Sequence, residues 1–190
     1  MPTPGSYGRS MTAGTVVILT GPPGAGKTTT ARTLAASYEC AVHLHSDDFW
    51  HAIVSGAVPP YLPESRDQNE TVMEVIRSAA FAYAAGGYLT IIDGIVGPWM
   101  LHHFGVTRSS IDLPTLQYIV LRPSRGEALR RAQSRTAHDA LVEEGPVLAL
   151  WDQFADLGER EGHALDTTSH SPADTVAAVQ GAIAGGSFVL

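Results

Sequence analysis

The sequence predicts an α/β domain with a largely parallel β-sheet, and two observations support this. Short apolar runs rich in β-branched residues alternate with segments of helical periodicity, which is typical of strands joined by crossover helices. The length of 190 residues suits one compact domain with its own hydrophobic core. We assign residues 14–190 to this domain and residues 1–13, rich in Pro, Gly, Ser and Thr, to a flexible tail.

Five apolar runs are predicted to form the strands of the sheet. The first, 15–20, is continuous and β-branched, as expected of a central strand that is buried on both faces. The other four runs are 41–46, 88–92, 116–121 and 163–167.

Helices are predicted between and after these strands. The first spans about residues 27–38. A later helix ends at Gly86 and Gly87, and its apolar residues recur at helical spacing. This face, expected to be buried, consists of Val72, Val75, Ile76, Ala79, Ala80 and Tyr83. The last helix begins at Ser171 and Pro172, a capping hydroxyl followed by proline at the first helical position, and buries Val176, Val179 and Ile183.

The turn after the first strand carries the motif G-x-x-x-x-G-K-[ST] at every fixed position. Its glycines allow successive backbone N–H groups to point at phosphate oxygens, and the following helix presents its positive end to the same oxygens. Lys27 is the only lysine of the chain, so general surface solubility does not explain it. Thr28 is expected to bind Mg²⁺. The predicted phosphate-binding residues are Gly21, Pro22, Pro23, Gly24, Ala25, Gly26, Lys27, Thr28 and Thr29.

Carboxylates follow two of the other predicted strands. Asp47 and Asp48 come after the second strand, at the edge of the sheet where ligands bind in doubly wound folds. Asp47 is the candidate general base, whereas Asp48 is either a helix cap or a substrate ligand. Asp93 ends an apolar strand and precedes Gly94, which predicts a residue that binds Mg²⁺ or contacts substrate, although Asp-Gly after a strand is also a common turn.

Arginines concentrate on a helix predicted to begin at Arg122 and Pro123. Arg131 and Arg135 are four residues apart and are expected to share one helical face. Arginine can stack on an adenine ring or neutralise charge on a transferred phosphoryl group. The alternative is a solvated basic face. The polar segment at about 135–145 is predicted to be a mobile lid.

Composition excludes several partner classes. The net charge of −7 disfavours a nucleic-acid substrate. The sequence has no run of about 18 apolar residues, so no membrane span is predicted. The single cysteine, Cys40, forms no internal disulfide, which indicates a cytoplasmic protein. A monomer or a homodimer is expected. His102 and His103 show no metal-ligand spacing and are interpreted either as ordinary surface residues or as residues that support a site without contacting its ligand.

With these motifs in order, the chain resembles the P-loop small-molecule kinases, a family that includes gluconate kinase, shikimate kinase and chloramphenicol phosphotransferase. The resemblance covers about residues 14–184 and implies a three-layer P-loop fold with a lid and a five-stranded parallel sheet in the order 2-3-1-4-5. It also implies a lid arginine and adenine contacts around Thr168 to Pro172. The second strand ends in His-Ser-Asp where shikimate kinase has Asp-x-Asp, so the acceptor stays open.

The predicted function is transfer of the γ-phosphate of ATP, with Mg²⁺, to a hydroxyl of a small molecule such as a sugar acid, a polyol or an antibiotic. Asp47, Lys27 and Arg135 are the predicted catalytic residues. Two alternatives are a toxin-type sugar-nucleotide kinase and a non-catalytic ATP-binding protein that sequesters its ligand. The residues predicted to contact the acceptor are Asp48, Trp50, His51, Arg66, Asp93 and Trp99.

Overall fold

The computed structural model describes residues 14–105, 114–136 and 141–190. Its centre is a five-stranded sheet in the order β2-β3-β1-β4-β5 with every neighbouring pair parallel, which confirms the predicted fold class and strand order. The strands are β1 Thr15–Thr20, β2 Ala41–His45, β3 Leu89–Asp93, β4 Thr115–Leu121 and β5 Ala164–Leu165. The predicted tail, 1–13, lies outside the described residues.

Several strand ends differ from the prediction. The second strand ends at His45, because Ser46 already begins a helix, and the third includes Asp93. The fifth is only two residues long. Beside β4, the C-terminal residues supply further pairing, since the Tyr118 amide donates to the Phe188 carbonyl and Gln117 forms an antiparallel bridge with Val189.

Helices cover both faces of the sheet. They are α1 Lys27–Ala36, α2 Ser46–His51, α3 Arg66–Ala85, α4 Arg125–Gln133, α5 Glu144–Asp152 and α6 Pro172–Gly185. Short 3-10 helices span Pro63–Ser65, Pro98–Phe104 and Gly158–His163. At α6, the Ser171 hydroxyl accepts from the Asp174 amide and Asp174 accepts from the Ser171 amide, so the predicted helix start is confirmed.

Two hydrophobic clusters lie on opposite faces of the sheet, and β1 contributes to both. Val16 and Ile18 pack with residues of α3, whereas Val17 and Leu19 pack with residues of α1 and α6. Successive side chains of a strand point to opposite faces, so this alternation accounts for the continuous apolar run of β1. The P-loop fold therefore has the three layers that the sequence indicates.

The predicted buried face of α3 is partly wrong. Val72, Ile76 and Ala80 are buried, but Val75 and Tyr83 are exposed, while Met73 is buried instead. The buried stripe is turned by about one residue position because the helix packs its 72–73–76–80–84 face on the sheet.

The arginine-bearing helix is also shorter than predicted. Ser124 caps α4, which ends at Gln133, so Arg135 lies beyond its C-terminus rather than on the same helical face as Arg131. Of the predicted lid at 135–145, residues 137–140 lie outside the described residues and α5 begins at Glu144. Among the described residues, none of the helices is both long and apolar enough to span a bilayer.

Candidate active site

Strand register sets the position of Asp93. In the parallel sheet, Asp93 is level with Leu19 of β1 on one side and His45 of β2 on the other. The carboxyl ends of these three strands therefore meet beside the turn that begins at Gly21. The loop after β3 is anchored at this edge, because the Val96 amide donates to the Thr20 hydroxyl and Tyr118 donates to the Val96 carbonyl.

Two glycines of the phosphate loop occupy backbone positions that other residues tolerate poorly. Gly21 has φ +140° and Gly24 has φ +78°. A Cβ at either would lie 2.1 Å from a backbone oxygen, that of Leu121 for Gly21 and that of Ala128 for Gly24. The loop is thus held against β4 and α4 by close backbone packing that needs glycine.

Lys27 closes this loop from the first turn of α1. Its ammonium donates to the Gly21 carbonyl at 2.9 Å and to the Pro22 carbonyl at 3.0 Å. Burial lowers the pKa of Lys27 to about 8, and a nearby arginine, Arg135, lowers it as well, while Asp93 and Asp47 oppose the shift. Lys27 therefore interacts electrostatically with Asp47, Asp93 and Arg135, which are all predicted site residues.

The carboxylate of Asp93 is fully buried and makes three contacts. The Thr28 hydroxyl donates to its Oδ2 at 2.6 Å, and its Oδ1 contacts His43 Nε2 and, at 3.1 Å, His45 Nδ1. Burial alone would raise the pKa of Asp93, but hydrogen bonds from His43 and Thr28 and the nearby His45 hold it below its usual value. Asp93 is therefore an anionic group placed beside Thr28.

Asp47 and Asp48 lie in the first turn of α2 rather than at the end of a strand. Neither of them caps that helix by a side-chain hydrogen bond, since its N-cap residue is His45. Negative charge in the first turn is favourable because it faces the positive end of the helix dipole. The Asp47 side chain is 63% exposed, with its Oδ2 3.7 Å from His45 Nε2. It is accessible to a ligand, and its role as base stays a prediction.

Arg131 organises the loop after β5. Its guanidinium donates to Glu127 at 2.6 Å and to three carbonyls of the loop, those of Thr167, Thr168 and His170, at 3.0 to 3.2 Å. These are edge contacts in the plane of the guanidinium, so adenine stacking on its face stays a prediction.

The Thr168 hydroxyl already makes two hydrogen bonds within the protein. It accepts from the Ser124 amide at 2.8 Å and donates to Asp166, which joins the loop after β5 to the start of α4. Pro172 follows as the first residue of α6 and is exposed. The predicted adenine-binding segment is therefore a loop whose shape is set by Arg131 and Thr168, and its contact with a base stays a prediction.

The predicted acceptor residues are spread over four elements: α2, α3, β3 and the 3-10 helix Pro98–Phe104. Trp50 packs against the core, and its Nε1 donates to Asn69 at 2.8 Å, whereas His51 and Arg66 are exposed. The Trp99 ring is half exposed and lies directly over Gly97, where a Cβ would be 2.2 Å from it.

A groove of about 510 Å³ lies between α2 and α3 and contains none of these acceptor residues. Its lining is Phe49, Ala52, Ile53, Asp67, Gln68, Thr71, Val72 and Val75. This cavity is therefore not lined by Trp50, His51, Arg66 or Trp99. That these residues form one acceptor pocket stays a prediction.

His43 and His45 are site residues that sequence reasoning missed. The sequence did contain a signal for them: His43 and His45 are two residues apart on a predicted strand, so their side chains lie on the same face of the sheet. Their target, however, is Asp93 on the neighbouring strand, and only the register of β2 with β3 reveals that.

The fold and the site together define a nucleotide-binding P-loop protein. The family described as "AAA domain" matches residues 17–152, which is most of the chain, and the chain belongs to this family of P-loop domains. None of the curated proteins matches the sequence.

Solved structures confirm the resemblance to P-loop small-molecule kinases at the level of the fold. A sugar kinase from Janibacter sp. HTCC2649 is similar with TM-score 0.65 at 19% identity, over 91% of this chain and 95% of that one. Shikimate kinase from Acinetobacter baumannii, in complex with shikimate, has TM-score 0.63 at 20% identity over 93% and 96%. A gluconokinase from Sinorhizobium meliloti 1021 has TM-score 0.63 at 14% identity over 92% and 94%.

One similar structure is a longer protein. In the Pnkp1/Rnl/Hen1 RNA repair complex, 84% of this chain matches at TM-score 0.61 and 16% identity, and it spans 50% of that chain's length. Identities at this level establish the shared fold and leave the acceptor to be determined by experiment.

Proposed function

We propose that the protein is an ATP-dependent phosphotransferase that moves the γ-phosphate of ATP to a hydroxyl group of a small molecule. The observation that carries the proposal is the contact between the Thr28 hydroxyl and the buried carboxylate of Asp93, directly beside the loop that Lys27 closes. In P-loop enzymes, Mg²⁺ is held by the hydroxyl at the start of the helix after the phosphate loop and by an aspartate from a neighbouring strand.

The donor set fits a magnesium ion. Thr28 Oγ1 and Asp93 Oδ2 are both hard oxygen ligands, which Mg²⁺ prefers, and it usually keeps several waters besides. The anionic state of Asp93 supports this fit, because the carboxylate is charged although it is fully buried. A bound Mg²⁺ would supply charge neutralisation at the phosphate oxygens.

Lys27 and Arg135 supply positive charge from the chain itself. Within the part of the chain that the structure describes, the Lys27 ammonium donates to the backbone carbonyls of Gly21 and Pro22 and is free to move to phosphate oxygens when nucleotide binds. Arg135 acts electrostatically on Lys27 and follows the end of α4, at the start of the predicted lid. Preorganised cations at the transferred phosphoryl group stabilise the charge that develops in the transition state.

Asp47 is the proposed general base that accepts the proton of the acceptor hydroxyl. The hydroxyl oxygen attacks the γ-phosphorus as the bond to the β,γ-bridging oxygen breaks, ADP leaves, and Asp47 accepts the hydroxyl proton. Its exposure and its electrostatic action on Lys27 support this role. Because Asp47 and Asp48 add negative charge at this edge, a neutral or cationic polyhydroxyl compound fits better than a phosphorylated one.

A mass-spectrometric screen tests the proposal. The protein is incubated with Mg²⁺·ATP and sets of sugar acids, polyols and hydroxylated antibiotics, and products are searched for the gain of one phosphoryl group. Such a gain, with equimolar ADP, is the expected result. A compound that binds with unchanged mass would instead identify a sequestering protein and overturn the proposed reaction.

Lys27→Ala provides the mechanistic control for any acceptor found. Turnover should fall about 100-fold or more, because the lost charge contributes on the order of 3 kcal/mol or more to transition-state stabilisation. Arg32→Ala is the matched variant, since it removes an exposed cation from the same helix, and it should behave as the unmodified protein. Near-normal turnover by Lys27→Ala, with an unchanged circular dichroism spectrum, would contradict the assignment.

A further inference from the structure

Two histidines and a glutamate from separate elements converge at a second place on the protein. His102 and His103 lie on the 3-10 helix Pro98–Phe104, and Glu70 lies on α3. Glu70 Oε2 is 3.5 Å from His103 Nε2 and 3.9 Å from His102 Nε2. One ligand atom from each residue lies within 4.8 Å of the other two. Both imidazoles therefore face the same carboxylate oxygen.

The tautomer of His102 suits it for metal binding. Its Nδ1 lies 2.9 Å from the Trp99 carbonyl, and a carbonyl only accepts, so Nδ1 carries the proton. When the imidazole is neutral, the lone pair is then on Nε2, the atom that faces Glu70. A backbone carbonyl that holds the second nitrogen of a histidine is the usual support of a metal-binding imidazole.

His103 is the most enclosed of the three residues. Its side chain is only 10% exposed. Burial and the adjacent His102 lower the pKa of His103, while Glu70 and Glu74 oppose the shift. Because it is enclosed, His103 is held in place at the cluster, whereas Glu70 and His102 are about half exposed.

The spacing of the three atoms is close to that of a metal site. Ligands at about 2.0–2.2 Å from a tetrahedral Zn²⁺ are about 3.3–3.5 Å from one another. The two measured separations from Glu70 Oε2 are 3.5 and 3.9 Å, so small side-chain rotations suffice. Glu70 and His102 are about half exposed, which allows these rotations and leaves room for a water as fourth ligand.

We propose that Glu70, His102 and His103 bind one divalent transition-metal ion of the Zn²⁺ type and thereby fix the 3-10 helix Pro98–Phe104 to α3. Two imidazoles with one carboxylate favour such an ion over Mg²⁺ or Ca²⁺, which take oxygen ligands. The sequence interpretation of His102 and His103 as ordinary surface residues is thereby revised, since Glu70 is brought to them only by the fold.

Among the described residues, His43, His45 and Asp93 form the other group with suitable donors, and it belongs to the active site described above. The experiment must therefore distinguish Zn²⁺ binding at the Glu70 cluster from Zn²⁺ binding at the active site. Zn²⁺ binding is therefore measured by isothermal titration calorimetry at pH 7 in excess Mg²⁺ without nucleotide. Co²⁺ is a second probe, whose visible absorption reports nitrogen ligands and tetrahedral geometry without any assay of activity.

The variants Glu70→Gln and His102→Asn remove one ligand each. We expect one Zn²⁺ per unmodified chain and at least a 10-fold loss of affinity in each variant, together with loss of the tetrahedral Co²⁺ spectrum. The matched controls are His51→Asn and Glu64→Gln, an exposed imidazole and an exposed carboxylate outside the cluster. They should bind both metals as the unmodified chain does.

A thermal melt keeps the result interpretable if a variant is less stable. Zn²⁺ should raise the Tm of the unmodified chain and not that of Glu70→Gln, because a ligand that binds only the folded state stabilises it. The absence of Zn²⁺ binding by the unmodified chain would overturn the proposal. So would Zn²⁺ binding that survives in Glu70→Gln and His102→Asn but is lost in His45→Asn.

Discussion

The lowered pKa of Lys27 predicts that nucleotide affinity depends on pH in a defined window. Burial lowers this pKa from 10.5 to about 8 in the free protein. The phosphates of a bound nucleotide add negative charge beside the ammonium and should raise the pKa again. Binding then requires protonated Lys27, so affinity is nearly constant well below pH 8 and falls as pH rises through and above 8.

The size of the effect follows from the protonated fraction. For a pKa of about 8, this fraction is about 0.9 at pH 7 and about 0.03 at pH 9.5, so the Kd should rise about 30-fold between them. At pH 8.5, binding should take up about 0.8 proton per nucleotide, by the same relation. Lys27 is the only lysine of the chain, so no other lysine titrates in this window.

Isothermal titration calorimetry with Mg²⁺·ATP at pH 7 to 9.5, in two buffers of different ionisation enthalpy, measures both quantities. Lys27→Ala and Lys27→Arg are the controls, because neither side chain changes its charge in this range. Both should bind more weakly with a Kd that hardly changes with pH. A flat Kd in the unmodified protein, or equal pH dependence in Lys27→Ala, would refute the reasoning.

Further substitutions test the other groups of the site. Asp47→Asn should lower turnover about 100-fold or more, in the range of general-base losses, with ATP affinity nearly unchanged, whereas full activity in Asp47→Asn together with loss in Asp48→Asn would move the base to Asp48. Arg131→Ala should weaken ATP binding more than turnover, since it releases the loop after β5, and Arg135→Ala should do the reverse; steady-state kinetics separates the two, and equal small effects would show that neither arginine acts on the nucleotide. Gly24→Ala should abolish nucleotide binding, because its Cβ would lie 2.1 Å from a carbonyl of α4; retained affinity would show that the loop relaxes freely.

The sheet and the phosphate loop could be predicted from the sequence because both depend on local patterns. The apolar run of β1 consists of consecutive residues, and so does the phosphate-binding motif from Gly21 to Thr28. The start of α6 at Ser171 is likewise local, since a capping residue acts within one helical turn. Strand ends were predicted less well, because pairing with a neighbour decides where a strand stops.

Only the tertiary structure decided which distant side chains meet. His43, His45 and Thr28 reach Asp93 because three parallel strands end side by side, and Glu70 reaches the two histidines because α3 packs beside the 3-10 helix. The sequence by itself determined the loop that binds phosphate and the order of the elements around it. Contacts between elements follow from packing and register, which no short stretch of sequence contains, and so the electrostatic surroundings of Lys27 and Asp93 emerge only in the fold.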